Sequence, residues 1–193
     1  MYSAFMHNNY LIRRQVFALT GKFRVFDPSE NLVLFSEQKM FRLREDIRVY
    51  SDESKTQEVL TIKARQIIDF SAAYDVMDSM TGEKVGVLRR KGWRSMFRDE
   101  WEVLDASDQP RGMLFEDSMQ LAMLRRFLLG SLLPQNYDLT IGETRVADLR
   151  QRFNLFRYEL DLDFSMDSAR TLDRRLGIAA GILLATVEGK QSN

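Results

Sequence analysis

Five cations and two aromatics fall within ten residues at Arg89-Arg90-Lys91-Gly92-Trp93-Arg94-Ser95-Met96-Phe97-Arg98. Such a run could grip an anionic phospholipid headgroup, cations on phosphate and rings at the lipid interface. The same residue types could stack on single-stranded nucleic acid. The charge balance of the chain separates the two readings. Lys plus Arg number 28 and Asp plus Glu number 28, so the net charge is zero, whereas a nucleic-acid coat needs a basic surplus to displace counterions from phosphate. Lipid therefore ranks ahead of nucleic acid, which is not an expected partner, and second to the plain reading of a solvated face. The plainer alternative is a solvated strand–turn–strand whose rings face the core, with Asp99 and Glu100 neutralising part of the field.

A second candidate is Ser118 to Leu133 (SMQLAMLRRFLLGSLL), which follows Asp117, a residue type suited to an N-cap, and stops at Pro134. On a helical wheel its apolar residues cover nearly the whole circumference, and Arg125 and Arg126 are its only charges. The segment is expected to be a helix. Exposed, it would form a larger apolar patch than a soluble monomer tolerates. It could lie on a membrane with its two arginines at the phosphates, or form a partner or homodimer surface around Leu124, Phe127 and Leu128. The reading that ranks first is a plug over one barrel mouth, leaving only Arg125 and Arg126 wet, with a partner surface next.

Other chemistry is sparse. Absence of Cys removes disulfides, thiolate metal sites and cysteine nucleophiles, and the single His7 removes clustered-histidine metal sites. His7 is expected in a frayed N-terminus, a poor setting for a general base. No phosphate-binding Gly-rich loop, nucleophile elbow or dinucleotide fingerprint occurs. Asp161, Asp163 and Asp167 could attract calcium, but the central Gly and closing Glu of a calcium loop are missing. No catalytic residue, metal or cofactor is expected, and the protein reads as a non-enzyme. No secretory signal or membrane span is expected, since the longest apolar run, Leu176 to Val187, is shorter than the roughly 20 residues a span needs. The cytoplasm is the expected compartment, with peripheral attachment to a membrane under the lipid reading.

The elements that must position these residues announce themselves through repetition. Phe23-Arg-Val-Phe-Asp27, Tyr74-Asp-Val-Met-Asp78 and Trp101-Glu-Val-Leu-Asp105 each read aromatic, charged, Val, apolar, Asp, and Tyr137-Asp-Leu-Thr-Ile141 is a degenerate fourth copy. Residues two apart share a strand face, so the aromatic and the Val point the same way. Each closing Asp opens a turn, and a returning strand follows at Leu32–Phe35, Val85–Leu88 and Gly112–Phe115. Further strands are expected at Tyr10–Ile12, Val59–Ile62, Thr144–Leu149 and Asn154–Phe164, the last alternating cleanly. About a dozen short strands in one domain suggest a sandwich or a closed antiparallel barrel. Leu172 to Val187 is expected to be a helix, apolar on every side beyond Arg175, with Leu176, Ile178, Ile182 and Leu183 buried at its centre. Small residues at Gly177, Ala179, Ala180, Gly181 and Ala185 would let surrounding backbone come close. A helix of this kind threaded through a barrel would be enclosed by protein and would leave little space for a small ligand.

The order of these segments resembles the LURP-one-related family. The likeness is carried by Tyr10-Leu-Ile-Arg-Arg14, Phe23–Asp27, Glu37-Gln-Lys-Met-Phe-Arg-Leu-Arg44, Arg90-Lys91, Phe97-Arg-Asp-Glu-Trp-Glu-Val103 and the apolar C-terminal helix after Asp161-Leu-Asp163. It runs from about Tyr10 to Val187. That family shares its architecture with phospholipid scramblases and the tubby C-terminal domain. The resemblance implies about twelve antiparallel strands closed around a central hydrophobic C-terminal helix. Tubby domains bind phosphoinositide headgroups and scramblases act at membranes, which adds weight to the lipid reading. The acylated cysteine cluster usual in scramblase-like proteins is missing, so a lipidated scramblase is not expected.

Overall fold

The computed structural model describes residues 2–15, 20–39, 46–65, 72–91, 100–117, 134–154 and 156–188. After a 3-10 turn at Ser3–Phe5 come β1 (Asn9–Gln15), β2 (Thr20–Phe26), β3 (Leu32–Lys39), β4 (Ile47–Tyr50), β5 (Glu58–Ala64) and β6 (Ala73–Asp78). They are followed by β7 (Lys84–Arg90), β8 (Glu100–Leu104), β9 (Pro110–Glu116), β10 (Asn136–Ile141), β11 (Thr144–Arg152), β12 (Arg157–Asp163) and the helix α1 (Arg174–Glu188). Each strand pairs antiparallel with its sequence neighbours, and β12 pairs back onto β1, so the twelve strands close into a barrel. Closure removes the unpaired edges that a sheet otherwise exposes.

The repeated pattern supplies the inner wall. Phe23 and Val25, Tyr74 and Val76, Trp101 and Val103, and Tyr137 and Leu139 are all buried, as shared-face geometry requires. The closing aspartates behave alike as well. Asp27 Oδ1 accepts the backbone N–H of Ser29 and Asn31, Asp78 Oδ1 those of Met80 and Thr81, and Asp105 Oδ1 those of Ser107 and Gln109. Three residues beyond Asp27, Asp52 and Asp105, the chain turns left-handed at Glu30, Lys55 and Asp108, whose N–H groups donate to the aspartate carbonyls at 3.0, 3.1 and 3.0 Å. Side-chain and backbone bonds to one Asp thus stand in for the glycine that a turn with positive φ favours.

Because the strands alternate in direction, the barrel has two unlike ends. The β2–β3, β4–β5, β6–β7, β8–β9 and β10–β11 connections lie at one end, the turn end, together with residues 164–173 that lead into α1. The β1–β2, β3–β4, β5–β6, β7–β8, β9–β10 and β11–β12 connections lie at the other, the loop end.

Three expectations change. β4 is not among the expected strands: Ile47 and Val49 alternate with Arg48 as a strand requires, but the run is only four residues long, and it bridges β3 and β5. The strand expected at Asn154–Phe164 begins only at Arg157, because Asn154 Oδ1 accepts the N–H of Phe156 and Arg157 and so closes a turn. The segment holding His7 is not frayed. Phe5 is 1 % exposed, the His7 N–H donates to the Tyr10 hydroxyl at 3.1 Å, and the Phe164 N–H reaches Asn8 O at 2.8 Å. The expected helix at 118–133 lies outside the described residues.

Helix α1 is buried from Arg174 to Ala185, with Leu176 at 6 %, Ile178 and Ile182 at 0 % and Leu183 at 1 % exposure. It packs on β6 and β7 and also on β12 and β1, two strand pairs set half a ring apart. A Cβ at Gly177 would lie 2.5 Å from Phe164 Cε1, and one at Gly181 would lie 2.7 Å from Ile12 Cδ1. The pair of glycines therefore serves close packing on the barrel wall. Among the described residues no helix is long and apolar enough to cross a membrane.

Two buried arginines fix the start of α1. Arg174, 2 % exposed, donates to Asp167 Oδ2 at 2.8 Å and to the carbonyl of Leu172 at 3.2 Å, and its guanidinium lies 4.7 Å from the Phe164 ring centre. Asp167 also accepts the Thr171 N–H, the Thr171 hydroxyl and the Leu172 N–H. Burial pushes the Asp167 carboxyl up, but these hydrogen bonds outweigh it and hold the pKa at about 2. Arg175 donates to Asp78 Oδ2 at 2.6 Å and forks onto Asp173. Two cations in the first turn of a helix oppose its dipole, and these carboxylates offset that cost.

Candidate functional site

The basic run 89–98 begins at the loop end of β7, and strand geometry divides it. Arg89 and Lys91 share the outer face, where both meet Glu102 of β8: Arg89 Nε at 2.7 Å and Lys91 Nζ at 3.3 Å. Burial raises the Glu102 carboxyl, yet the hydrogen bond from Arg89 and the two neighbouring charges hold it below the usual carboxylate range. Arg90 lies on the opposite face with the buried Leu88, beside Tyr74, whose hydroxyl burial pushes up while the Arg90 charge partly counters it. Three consecutive cations in a strand are therefore not one patch: two point outward against a single carboxylate, and one is turned toward the interior. Trp93, Arg94 and Arg98 lie outside the described residues, as do Leu124, Arg125, Arg126, Phe127 and Leu128.

Topology places both candidate segments at the same end of the barrel. Residues 92–99 connect β7 to β8, and 118–133 connect β9 to β10. The rim stays closed where the second segment leaves it, since the Asp117 N–H donates to Asn136 O at 2.8 Å. The inward face at this end is polar. Arg14, Glu116 and Gln135 are buried, and Arg14 stands 5.9 Å from the Tyr158 ring centre. Period-two alternation from Tyr10 and Ile12 puts Arg14 inside, a signal present in the sequence but masked by the adjacent Arg13, which faces out and pairs with Glu159 at 2.7 Å.

A groove of about 590 Å³ lies elsewhere, on the outer wall, between the β2–β3 turn and the faces of β1, β12 and β11. Its arginines are engaged within the protein. Arg13 pairs with Glu159, Arg152 forks onto Asp161 at 2.6 and 2.7 Å, and Arg150 meets Asp148 at 3.1 Å. With Glu30 and Asp163 on the rim as well, this groove does not offer an anion a free cation. The calcium reading meets the same commitments. Asp161 is held by Arg152 and Asp167 by Arg174, while Asp163 accepts the Ser165 N–H. Among the described residues no group of acidic or histidine side chains is arranged to hold a metal ion.

Two further residues at the loop end carry no signal in a reading for strands. Phe153 and Phe156, in the β11–β12 connection, are 60 % and 70 % exposed. The pattern Arg-Phe-Asn-Leu-Phe-Arg merges with the alternating run that follows it, which hides the turn that presents these rings.

No curated protein and no solved structure matches the chain. The family model for LURP-one-related proteins matches residues 32–185, from the start of β3 nearly to the end of α1. The strands β1 and β2, which complete the ring, precede the matched region. The chain belongs to the LURP-one-related family.

Proposed function

We propose that this protein is a non-enzymatic membrane-surface domain of the cytoplasm that binds anionic phospholipid headgroups at the loop end of its barrel. The observation that carries the reading is the outward placement of Arg89 and Lys91, both against Glu102, at the end of the barrel where the chain runs on into Trp93, Arg94 and Arg98. Cations that stand outward on a rigid ladder lose little freedom when a phosphate arrives. In this reading α1 fills the middle of the barrel, supported by its burial and its packing on opposite strand pairs, so the interior is a scaffold and the rim is the binding surface. The test is co-sedimentation with neutral and with phosphoinositide-doped vesicles at low and high salt. Selective pelleting that salt weakens is expected, and Arg89→Ala with Lys91→Ala should each reduce binding about fivefold. Pelleting that ignores both charge and salt would overturn the headgroup reading.

A protein-interaction or homodimer surface on 118–133 is the second reading. It is favoured by the rim staying hydrogen-bonded from Asp117 to Asn136, the described residues on either side of this long apolar segment. Leu124→Asp or Phe127→Asp should then abolish a concentration-dependent dimer while the fold survives. Unfolding of the variant would make the segment core instead.

A further inference from the structure

We infer that the β11–β12 tip is an apolar anchor that inserts Phe153 and Phe156 into the bilayer interface, an inference that rests on the loop end facing lipid. The two rings are the most exposed large apolar side chains among the described residues. Between them Asn154 Oδ1 accepts the N–H of Phe156 at 2.9 Å and of Arg157 at 3.1 Å. The inner faces of the flanking strands are already filled by Leu149, Tyr158 and Leu160, so the rings have no place in the core. Arg152 and Arg157 bracket the tip, and Arg157 has no carboxylate partner among the described residues. Strand direction puts the tip at the same end as Arg89 and Lys91.

Lipid is the occupant that this chemistry fits. Two rings can bury at most roughly 300–500 Å², well below the roughly 800 Å² that each partner contributes to a stable protein interface. A bilayer demands no complementary surface, and it rewards aromatic rings flanked by cations. A single weak anchor also combines naturally with a second, electrostatic one, because stable peripheral attachment usually takes two signals.

The chain has no cysteine, so a single introduced thiol can carry an environment-sensitive fluorophore. The label would be placed on Phe153→Cys and, as a control at the turn end, on Ser107→Cys. Vesicles of phosphatidylcholine and phosphatidylserine in equal parts should shift the label at 153 to the blue, and brominated acyl chains should quench it. The label at 107 should not respond. The Phe153→Ser, Phe156→Ser variant should bind these vesicles at least tenfold more weakly, with its unfolding temperature unchanged. Arg89→Ala with Lys91→Ala should weaken the salt-sensitive part of binding and leave the label shift at high protein concentration. Wild-type pelleting with no label shift and no loss in the serine variant would overturn the anchor and leave the headgroup reading standing. A label shift on neutral vesicles without salt dependence would sustain the anchor and overturn the headgroup reading. A lipid-free dimer that the serine variant dissociates would make the tip a protein contact and overturn the proposal.

Discussion

At the turn end of the barrel, aspartates bond the backbone of their own turns or seat the arginines of α1; at the loop end, Arg14 and Glu116 are buried on the inner face, while Arg89 and Lys91 stand outward and two rings are exposed at the β11–β12 connection. Asp27, Asp78 and Asp105 each close a hairpin through two backbone N–H groups, and Asp167 and Asp78 seat the arginines that begin α1. Across the barrel, Arg89 and Lys91 share one carboxylate, Arg157 has none among the described residues, and Phe153 and Phe156 meet solvent. Short turns leave no chain to spare for a ligand, so their polar groups serve stability. The β7–β8 and β9–β10 connections are longer and escape that constraint, and binding surfaces collect on such loops, whereas the β11–β12 connection is as short as the turns and differs by exposing rings instead of polar groups.

If the two ends differ in this way, substitutions should separate them. The largest effect is expected at the base of α1. Arg174→Ala or Arg175→Ala strands a buried carboxylate and should cost about 3–5 kcal/mol in denaturant unfolding, whereas Arg89→Ala with Lys91→Ala should stay within about 0.5 kcal/mol of wild type. Equal losses at both ends would break the comparison.

Acid unfolding sharpens it further. The Asp167 carboxyl is held at about 2 against an ordinary value of 3.8. A lowered folded-state pKa stabilises fully above the unfolded value, and the benefit is lost as pH falls through the folded one, here between about pH 4 and pH 2. Asp167→Asn should remove that part of the acid dependence and lower stability at neutral pH by about 2 kcal/mol. An unchanged acid profile would mean the carboxylate is not coupled to folding.

Packing and turn substitutions should give smaller losses. Gly177→Ala places a methyl against the Phe164 ring and should cost about 1–3 kcal/mol, despite the better helix propensity of Ala. Asp27→Ala or Asp105→Ala removes two turn hydrogen bonds and should lower stability by about 1 kcal/mol each. Thermal unfolding would measure all three, and a neutral Asp105→Ala would show that the backbone alone holds its turn.

The sequence makes the turn end far more legible than the loop end, for a physical reason. A hairpin is a local device: Tyr74-Asp-Val-Met-Asp78 contains both its buried face and its turn signal, so pattern and structure coincide. The buried partner of Arg175 is less visible, because Asp78 comes from a strand nearly a hundred positions earlier. Closure of β12 on β1 is non-local too: the strand count leaves a sandwich or a closed barrel, and the family resemblance implies the barrel. At the loop end the density of cations suggests one patch, yet alternation turns Arg90 away from Arg89 and Lys91. Phe153 and Phe156 resemble strand residues until Asn154 is seen to close a turn. Local signals thus report hairpins well, while sites assembled from several connections emerge only with the fold.

The most direct test of the account is hydrogen–deuterium exchange of the intact protein with and without anionic vesicles. Protection confined to the β7–β8, β9–β10 and β11–β12 connections, with the Asp-closed turns unchanged, is the predicted result. Protection at the turn end, or on the outer groove between β1 and β11, would contradict the assignment of binding to the loop end.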